Sequence, residues 1–208
     1  MTRKAFCFLF FSSLIFLLEA ISIAQTVSFS PMIGFSKLMG NGSEYWKIGF
    51  KYGGNGFYHL TPKILLGGCF VYCRFTPDRN EFTEDFGRIK GVESLDVYGS
   101  ASITEVVPSL RIVTPVTKPK NISLFGQLGI GIFFVNLEAT AEAIYKGRTY
   151  KESIKLSENK IGFSLGGGIL IGKTGCVCIE VGPLYNVILT EEETTSYFSV
   201  NVGVGYSL

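Results

Sequence analysis

The sequence has one histidine and one tryptophan among its 208 residues, and a formal net charge of only +2. A lone histidine, His59, leaves no histidine cluster for a metal centre, and no metal or cofactor is expected. Without a basic excess, the chain has no electrostatic means of gripping a phosphate backbone, so nucleic acid is not an expected partner. Beyond residue 24 no apolar run is long enough to cross a bilayer as a helix. No linker or charge block interrupts residues 25–208, which points to a single domain over that span.

The cysteines exclude rather than suggest. Cys69 and Cys73 lie four apart on one expected strand, about 13 Å at about 3.3 Å per residue, too far for a disulfide. Cys176 and Cys178 share one strand face two residues apart. Free thiols packed as small apolar groups are expected.

What is present begins with a leader. Arg3 and Lys4 precede an apolar run from Ala5 to Leu18, and Ser22-Ile23-Ala24 ends it with small residues before Gln25. That layout predicts a cleaved signal peptide over 1–24.

The remainder is rich in Gly, Phe, Tyr and Val and alternates with a period of two. Phe198, Val200, Val202, Val204, Tyr206 and Leu208 alternate with Ser199, Asn201, Gly203, Gly205 and Ser207. Val27, Phe29, Ile33 and Phe35 do so with Ser28, Ser30, Gly34 and Ser36, and Trp46, Ile48, Phe50 and Tyr52 with Lys47, Gly49 and Lys51. Such spacing places alternate side chains on opposite faces of a strand. Further strands are expected at 61–75, 94–114, 121–137, 159–171 and 175–189, making eight. Pro108 and Pro183 fall inside two of them and predict bulges or local irregularity, because proline donates no ladder hydrogen bond.

In hydrocarbon every backbone group must be paired, so membrane-crossing strands must close into a barrel. The fold class expected is therefore all-β: an antiparallel up-and-down transmembrane β-barrel of eight strands. Gly53 to Leu60, Val116 to Lys120 and Gly172 to Thr174 are read as short turns on one rim. Lys37 to Ser43, Thr76 to Glu93, Glu138 to Glu158 and Thr190 to Thr194 are read as loops on the other, two of them long and polar.

The segments Glu105 to Arg111, Gly126 to Gly131 and Tyr197 to Leu208 resemble the small outer-membrane β-barrel proteins of the OmpA and OmpX type. The resemblance covers nearly all of 25–208. It implies a place in the cell outer membrane among lipid and lipopolysaccharide. It also implies an assembly signal for the barrel-assembly machinery at Phe198, Val200, Val202, Val204, Tyr206 and Leu208.

With the apolar faces toward lipid, Lys47, Lys51, Lys63, Glu105, Arg111, Lys160 and Glu180 are expected to enter the lumen. Eight strands leave an interior just wide enough for side chains to fill, so these charges should pair into a plug. Trp46, Tyr52, Phe70, Tyr72, Phe134 and Tyr206 are expected in interfacial girdles.

Two apparent motifs are set aside. Gly167 to Thr174 has the spacing of a phosphate-binding loop, but a strand pattern stands where a helix is required. His59 falls in a turn, where Tyr58 and Thr61 supply no nucleophile for it to activate. Glu81, Glu84 and Asp85, and likewise Glu191 to Glu193, read as solvated loop acids.

The expectation is a non-enzymatic barrel with an envelope-structural role, or one whose loops meet an unidentified surface ligand. A narrow porin-like channel, a lipid-active enzyme and a soluble lipocalin-like binder are the alternatives. The last would turn the apolar faces inward.

Overall fold

The computed structural model describes residues 27–86, 92–116, 121–172, 177–190 and 194–207. The expected leader, Lys173, Thr174, Cys176, Glu191 to Glu193 and Leu208 lie outside these. The strands are β1 (Val27–Met39), β2 (Gly49–His59), β3 (Ile64–Phe75), β4 (Val92–Pro115), β5 (Ile122–Tyr145), β6 (Arg148–Gly172), β7 (Val177–Ile188) and β8 (Thr195–Ser207). Each pairs antiparallel with the next, and β8 pairs with β1 to close the ring. A helix, α1 (Arg79–Phe86), sits between β3 and β4.

The alternation sets the faces. On β8, Phe198, Val200, Val202, Val204 and Tyr206 point outward and exposed, while Tyr197, Ser199, Asn201, Gly203 and Gly205 are buried. Phe29, Ile33, Phe35, Phe50, Tyr52, Phe70, Leu128, Ile130, Phe163 and Leu165 extend the apolar exterior. A soluble barrel has the reverse polarity, so the lipocalin-like reading is excluded.

Several expected boundaries move. Gly53 to Leu60 is no turn: β2 runs on to His59, and the turn is Leu60 to Lys63, where Thr61 Oγ1 accepts from the backbone amides of Lys63 and Ile64 at 3.2 and 3.0 Å. The glycines of that stretch serve close strand approach instead. A Cβ on Gly53 would stand 2.7 Å from Val71 Cα.

Pro108 and Pro183 bring local irregularity rather than bulges. Register on either side of Pro108 is unchanged, with Val106 opposite Ile132 and Ser109 opposite Gly129. The β6–β7 register is likewise kept across Pro183. Each proline turns its missing donor toward one neighbour, and the ladder there simply lapses for two positions.

The largest revision concerns the polar segment Glu138 to Glu158, read as a loop. It is strand. β5 and β6 continue to a two-residue turn at Lys146 (φ 49) and Gly147 (φ 71), and β4 begins at Val92 to pair alongside. Two consecutive positive φ values are what a type I′ hairpin turn requires. The result is a three-stranded blade standing off the long-loop rim.

Candidate functional site: a closed lumen beneath a three-stranded blade

Inward-facing charges meet in two tiers. Nearer the long-loop rim, Lys51 Nζ lies 2.9 Å from Glu105 Oε1, with both side chains fully buried. Ser199 Oγ is 3.5 Å from the same amine, and Ser36 and Ser199 hydroxyls are 2.9 Å apart.

Six positions further along β4, Arg111 forms a two-pronged pair with Glu180. Its Nη1 donates to Oε2 and its Nη2 to Oε1, both at 2.8 Å. Nε and Nη2 also donate to Gln127 Oε1 at 3.0 and 2.7 Å. The guanidinium is stacked between the rings of Phe57 and Phe125, 4.1 and 4.3 Å from their centroids. A planar, weakly hydrated cation suits that sandwich better than an ammonium.

Apolar layers flank the tiers. Val71, Cys69 and Val107 lie among them, and Phe75, Ile103, Phe133, Ile188 and Tyr197 fill the lumen toward the long-loop rim. The void beside Arg111, bordered by Met32, Gln127, Glu180, Leu184 and Asn201, measures about 20 Å³, room for about one water centre. Among the described residues these paired charges and apolar side chains fill the lumen between the tiers.

Not every expected lumen charge is there. Lys47 lies beyond the end of the β1–β2 ladder, exposed, its amide donating to Thr76 O at 2.9 Å. Lys63 is exposed in the short turn after β2. Both share the inward parity of their strands but sit outside the paired region, where no wall encloses them. Lys160 faces the mouth, half-buried, 3.1 Å from Glu158. Trp46, expected in a lipid-facing girdle, instead bridges to Pro77 and packs half-buried against the apolar lumen layer. Tyr52, Phe70 and Tyr206 are exposed on the outer face, with Tyr72 and Phe134 half-buried.

Around the mouth, Tyr45 stacks on Phe82 of α1 at 4.6 Å and donates its hydroxyl to Asp85 at 2.8 Å. This bond, with burial and the neighbouring acids adding to it, raises the Tyr45 phenol above its ordinary value. Glu81, Glu84 and Asp85 are therefore helical rather than loop acids. No group of three metal-ligating side chains occurs among the described residues.

His59 does have a hydroxyl neighbour that sequence reasoning missed. Ser28 Oγ lies 3.3 Å from Nε2, brought there by β1–β2 pairing. That hydroxyl also lies 3.4 Å from Phe57 O, the bond it donates to.

The blade inverts the polarity of the barrel. Outward positions along β5 run Leu128, Ile130, Ile132, Phe134, then Asn136, Glu138, Thr140 and Glu142. On β6 the same change falls between Ile161 and Asn159. Ser102, Asn136 and Ser157 occupy one ladder row. From that row to the short-turn rim β4, β5 and β6 have 14, 15 and 16 residues (Ser102 to Pro115, Ile122 to Asn136 and Ser157 to Gly172), enough for a tilted strand to cross a bilayer. Beyond the row, Glu138 pairs with Lys155, and Glu142 lies 3.9 Å from Lys151. The pairing holds the exposed Glu138 carboxyl below its ordinary value, and Lys155 above its own. The opposite face carries Ala139, Ala141, Ala143, Tyr150, Ile154 and Leu156, with Glu152 opposite Ala141.

No protein-family description and no curated protein matches the chain. Solved structures do. Ail, the attachment invasion locus protein of Yersinia pestis, in complex with the heparin analogue sucrose octasulfate, is 16% identical, with 88% of this chain and 99% of that one covered, at a TM-score of 0.52. Neisserial surface protein A is 14% identical over 86% of this chain and 96% of that one, at a TM-score of 0.51. The chain has the fold of the small outer-membrane barrels, the architecture of the OmpA and OmpX type.

Proposed function

We propose that the protein is a non-enzymatic integral barrel of the cell outer membrane whose blade is a surface interaction element. The observation that carries this reading is the change of outward side chains from apolar to polar within two adjacent ladder rows across β4, β5 and β6, Thr104, Phe134 and Asn159 in the first and Ser102, Asn136 and Ser157 in the second, with the charges following beyond them. A strand exposed to lipid on both sides of that row would leave Glu138, Glu142, Lys151 and Lys155 in hydrocarbon, at a cost of about 2–4 kcal/mol for a basic residue near the midplane. Placing the row at the outer interface puts the apolar band in lipid and the blade in water. Lipopolysaccharide then surrounds the barrel at the level of the aromatic side chains.

The outward residues of β8, Phe198, Val200, Val202, Val204 and Tyr206, form the strand that the assembly machinery would read. The complex of Ail with a sulfated sugar supports the idea that a surface ligand suits this fold. The two closed ion-pair tiers weigh against the alternative of a narrow channel.

The test is to join β5 to β6 by an Asn-Gly turn at Asn136 and Ser157, removing the distal hairpin. The shortened protein should still fractionate with outer membranes and migrate faster on gels unboiled than boiled, while cell-surface binding of the parent is lost. Binding that survives the deletion would refute the interaction role. Recovery in the soluble periplasmic fraction would refute the membrane assignment.

A further inference from the structure

β6 pairs with β7 only from Gly162 to Gly172. From Arg148 to Lys160 it pairs with β5 on one side, and among the described residues the other edge of its backbone meets no strand. The far side of the blade differs, because α1 packs against β4 and Arg79 lies 3.9 Å from Asp96. Among the described residues one edge is thus flanked by a helix and the other is open. An unpaired edge of this length is a template for another strand, and proteins ordinarily guard against uncontrolled pairing there.

The charges disfavour the registers in which a second copy would overlap this edge most fully. A second copy would join by antiparallel pairing about a two-fold axis, in which residues equidistant from the axis face each other. Centred on Glu152, two glutamates meet. Centred on Ser153, Lys151 meets Lys155 twice. Centred on Ile154, Arg148 meets Lys160, and centred on Lys155, two lysines meet while Glu152 opposes Glu158. Each of these registers sets like charges directly opposite, which destabilises pairing.

The charges also show which strand it accepts. Across the polar face the rows run Asp96, Glu142, Lys151 and Ser100, Glu138, Lys155. Each row ends on lysine at the open edge, and the next strand completes the alternation with an acid. On the other face Ile154 and Leu156 are exposed beside the half-buried Ala139, and Tyr150 beside the half-buried Ala143, with the exposed Glu152 between Tyr150 and Ile154. Apolar side chains of an added strand would extend that patch.

We infer that the open edge of β6 between Arg148 and Lys160 takes up an extended peptide segment from a different protein. That segment carries acidic residues opposite Lys151 and Lys155, and an apolar residue between them opposite Ile154. Main-chain hydrogen bonds supply sequence-independent affinity, and the alternate side chains supply selection. The inference rests on the blade being the interaction element.

The experiment uses the full barrel in lipid nanodiscs and three fluorescent eleven-residue peptides of alternating pattern. The first carries glutamate opposite Lys151 and Lys155, the second carries lysine there, and the third is the first with alternate backbone amides methylated. The acidic peptide should bind about tenfold more tightly than the basic one, and methylation should abolish binding. A barrel carrying Glu138→Lys, Glu142→Lys, Lys151→Glu and Lys155→Glu keeps its internal pairs and should prefer the basic peptide. The parent barrel should stay monomeric throughout. Equal binding of the two charge forms, undiminished binding of the methylated peptide, or dimerisation through the blade would overturn the inference. If no peptide binds while removal of the distal hairpin still abolishes cell-surface binding, strand capture fails and the interaction role stands. If hairpin removal changes nothing, the interaction role itself fails.

Discussion

Replacing Arg111 with methionine tests the plug most directly. The substitution fills much of the space but leaves the Glu180 carboxylate buried, with Asn55 Nδ2 at 3.4 Å as its remaining donor. Removing one partner of a buried pair costs about 3–5 kcal/mol, because an uncompensated charge stays behind. Gln127 also loses the two bonds its Oε1 accepts, and the rings of Phe57 and Phe125 lose their cation, which together add about 1–2 kcal/mol. A loss of about 5 kcal/mol corresponds to a folded-to-unfolded ratio lowered by between three and four powers of ten. The assay is urea unfolding from lipid vesicles at neutral pH, followed by Trp46 fluorescence. Adding Glu180→Leu to Arg111→Met removes the stranded charge, so the double variant should return to within about 1 kcal/mol of the parent. A single variant as stable as the parent, or a double variant no better than the single, would refute the reasoning that these charges are held dry and mutually compensated.

Three further outcomes are expected. Gly147→Ala forces a Cβ into the left-handed turn conformation at φ 71 and should destabilise the hairpin by about 1 kcal/mol, whereas Lys146→Asn should protect it; amide exchange across 138–155 reads both. The Glu138 carboxyl is depressed by Lys155, so its contribution is present at neutral pH and disappears as pH falls through its lowered value. Lys155 is raised, so its share persists at neutral pH and is lost only as pH rises past the ordinary lysine range. Blade amide protection, taken relative to the intrinsic exchange rate at each pH, should therefore fall as pH drops through the lowered Glu138 value and be flat around neutrality; unchanged protection in acid would count against the pair. Asp85→Asn replaces the carboxylate that raises Tyr45 with a neutral amide, so ultraviolet titration should show one phenol ionising at lower pH than in the parent, and the difference should vanish in Tyr45→Phe.

The outward faces were legible because lipid demands an uninterrupted apolar row, and rows such as Phe198 to Tyr206 satisfy it without exception. Lys51, Glu105, Arg111 and Glu180 followed from parity once those faces were assigned. Parity alone overreached at Lys47 and Lys63, because it takes no account of where the ladder stops. The run Gly53-Gly54-Asn55-Gly56 reads as a turn by composition, yet Gly53 and Gly54 there spare a collision and a tight contact with the neighbouring strands. The apolar lumen layer was unreadable for a different reason. Phe75, Ile103, Phe133 and Ile188 lie on inward faces that further along their strands carry small or polar groups, so they blur the alternation instead of announcing a core. Ser28 beside His59 depended on β1–β2 register, which no local pattern encodes.

The blade was misread because the rule that identifies membrane strands fails outside the membrane. Glu138, Thr140 and Glu142 alternate with Ala139, Ala141 and Ala143 as regularly as any lipid-facing row, but with the charged set on the outward side and alanine on the other. Nothing in that sequence resembles an apolar strand. Yet the register of β5 and β6 is already fixed inside the barrel by Leu128 opposite Leu165 and Ile132 opposite Ile161, and it continues without a shift to Tyr145 opposite Arg148. Each further residue pair then extends an existing ladder rather than nucleating a new one. The blade consequently inherits its orientation from the barrel wall, and its edge is held in extended conformation before any partner arrives. Ordering a flexible loop on binding would cost about 0.5–1.5 kcal/mol for each side chain immobilised. A preformed edge avoids much of that, which on the proposed reading is the physical advantage of a sheet over a loop.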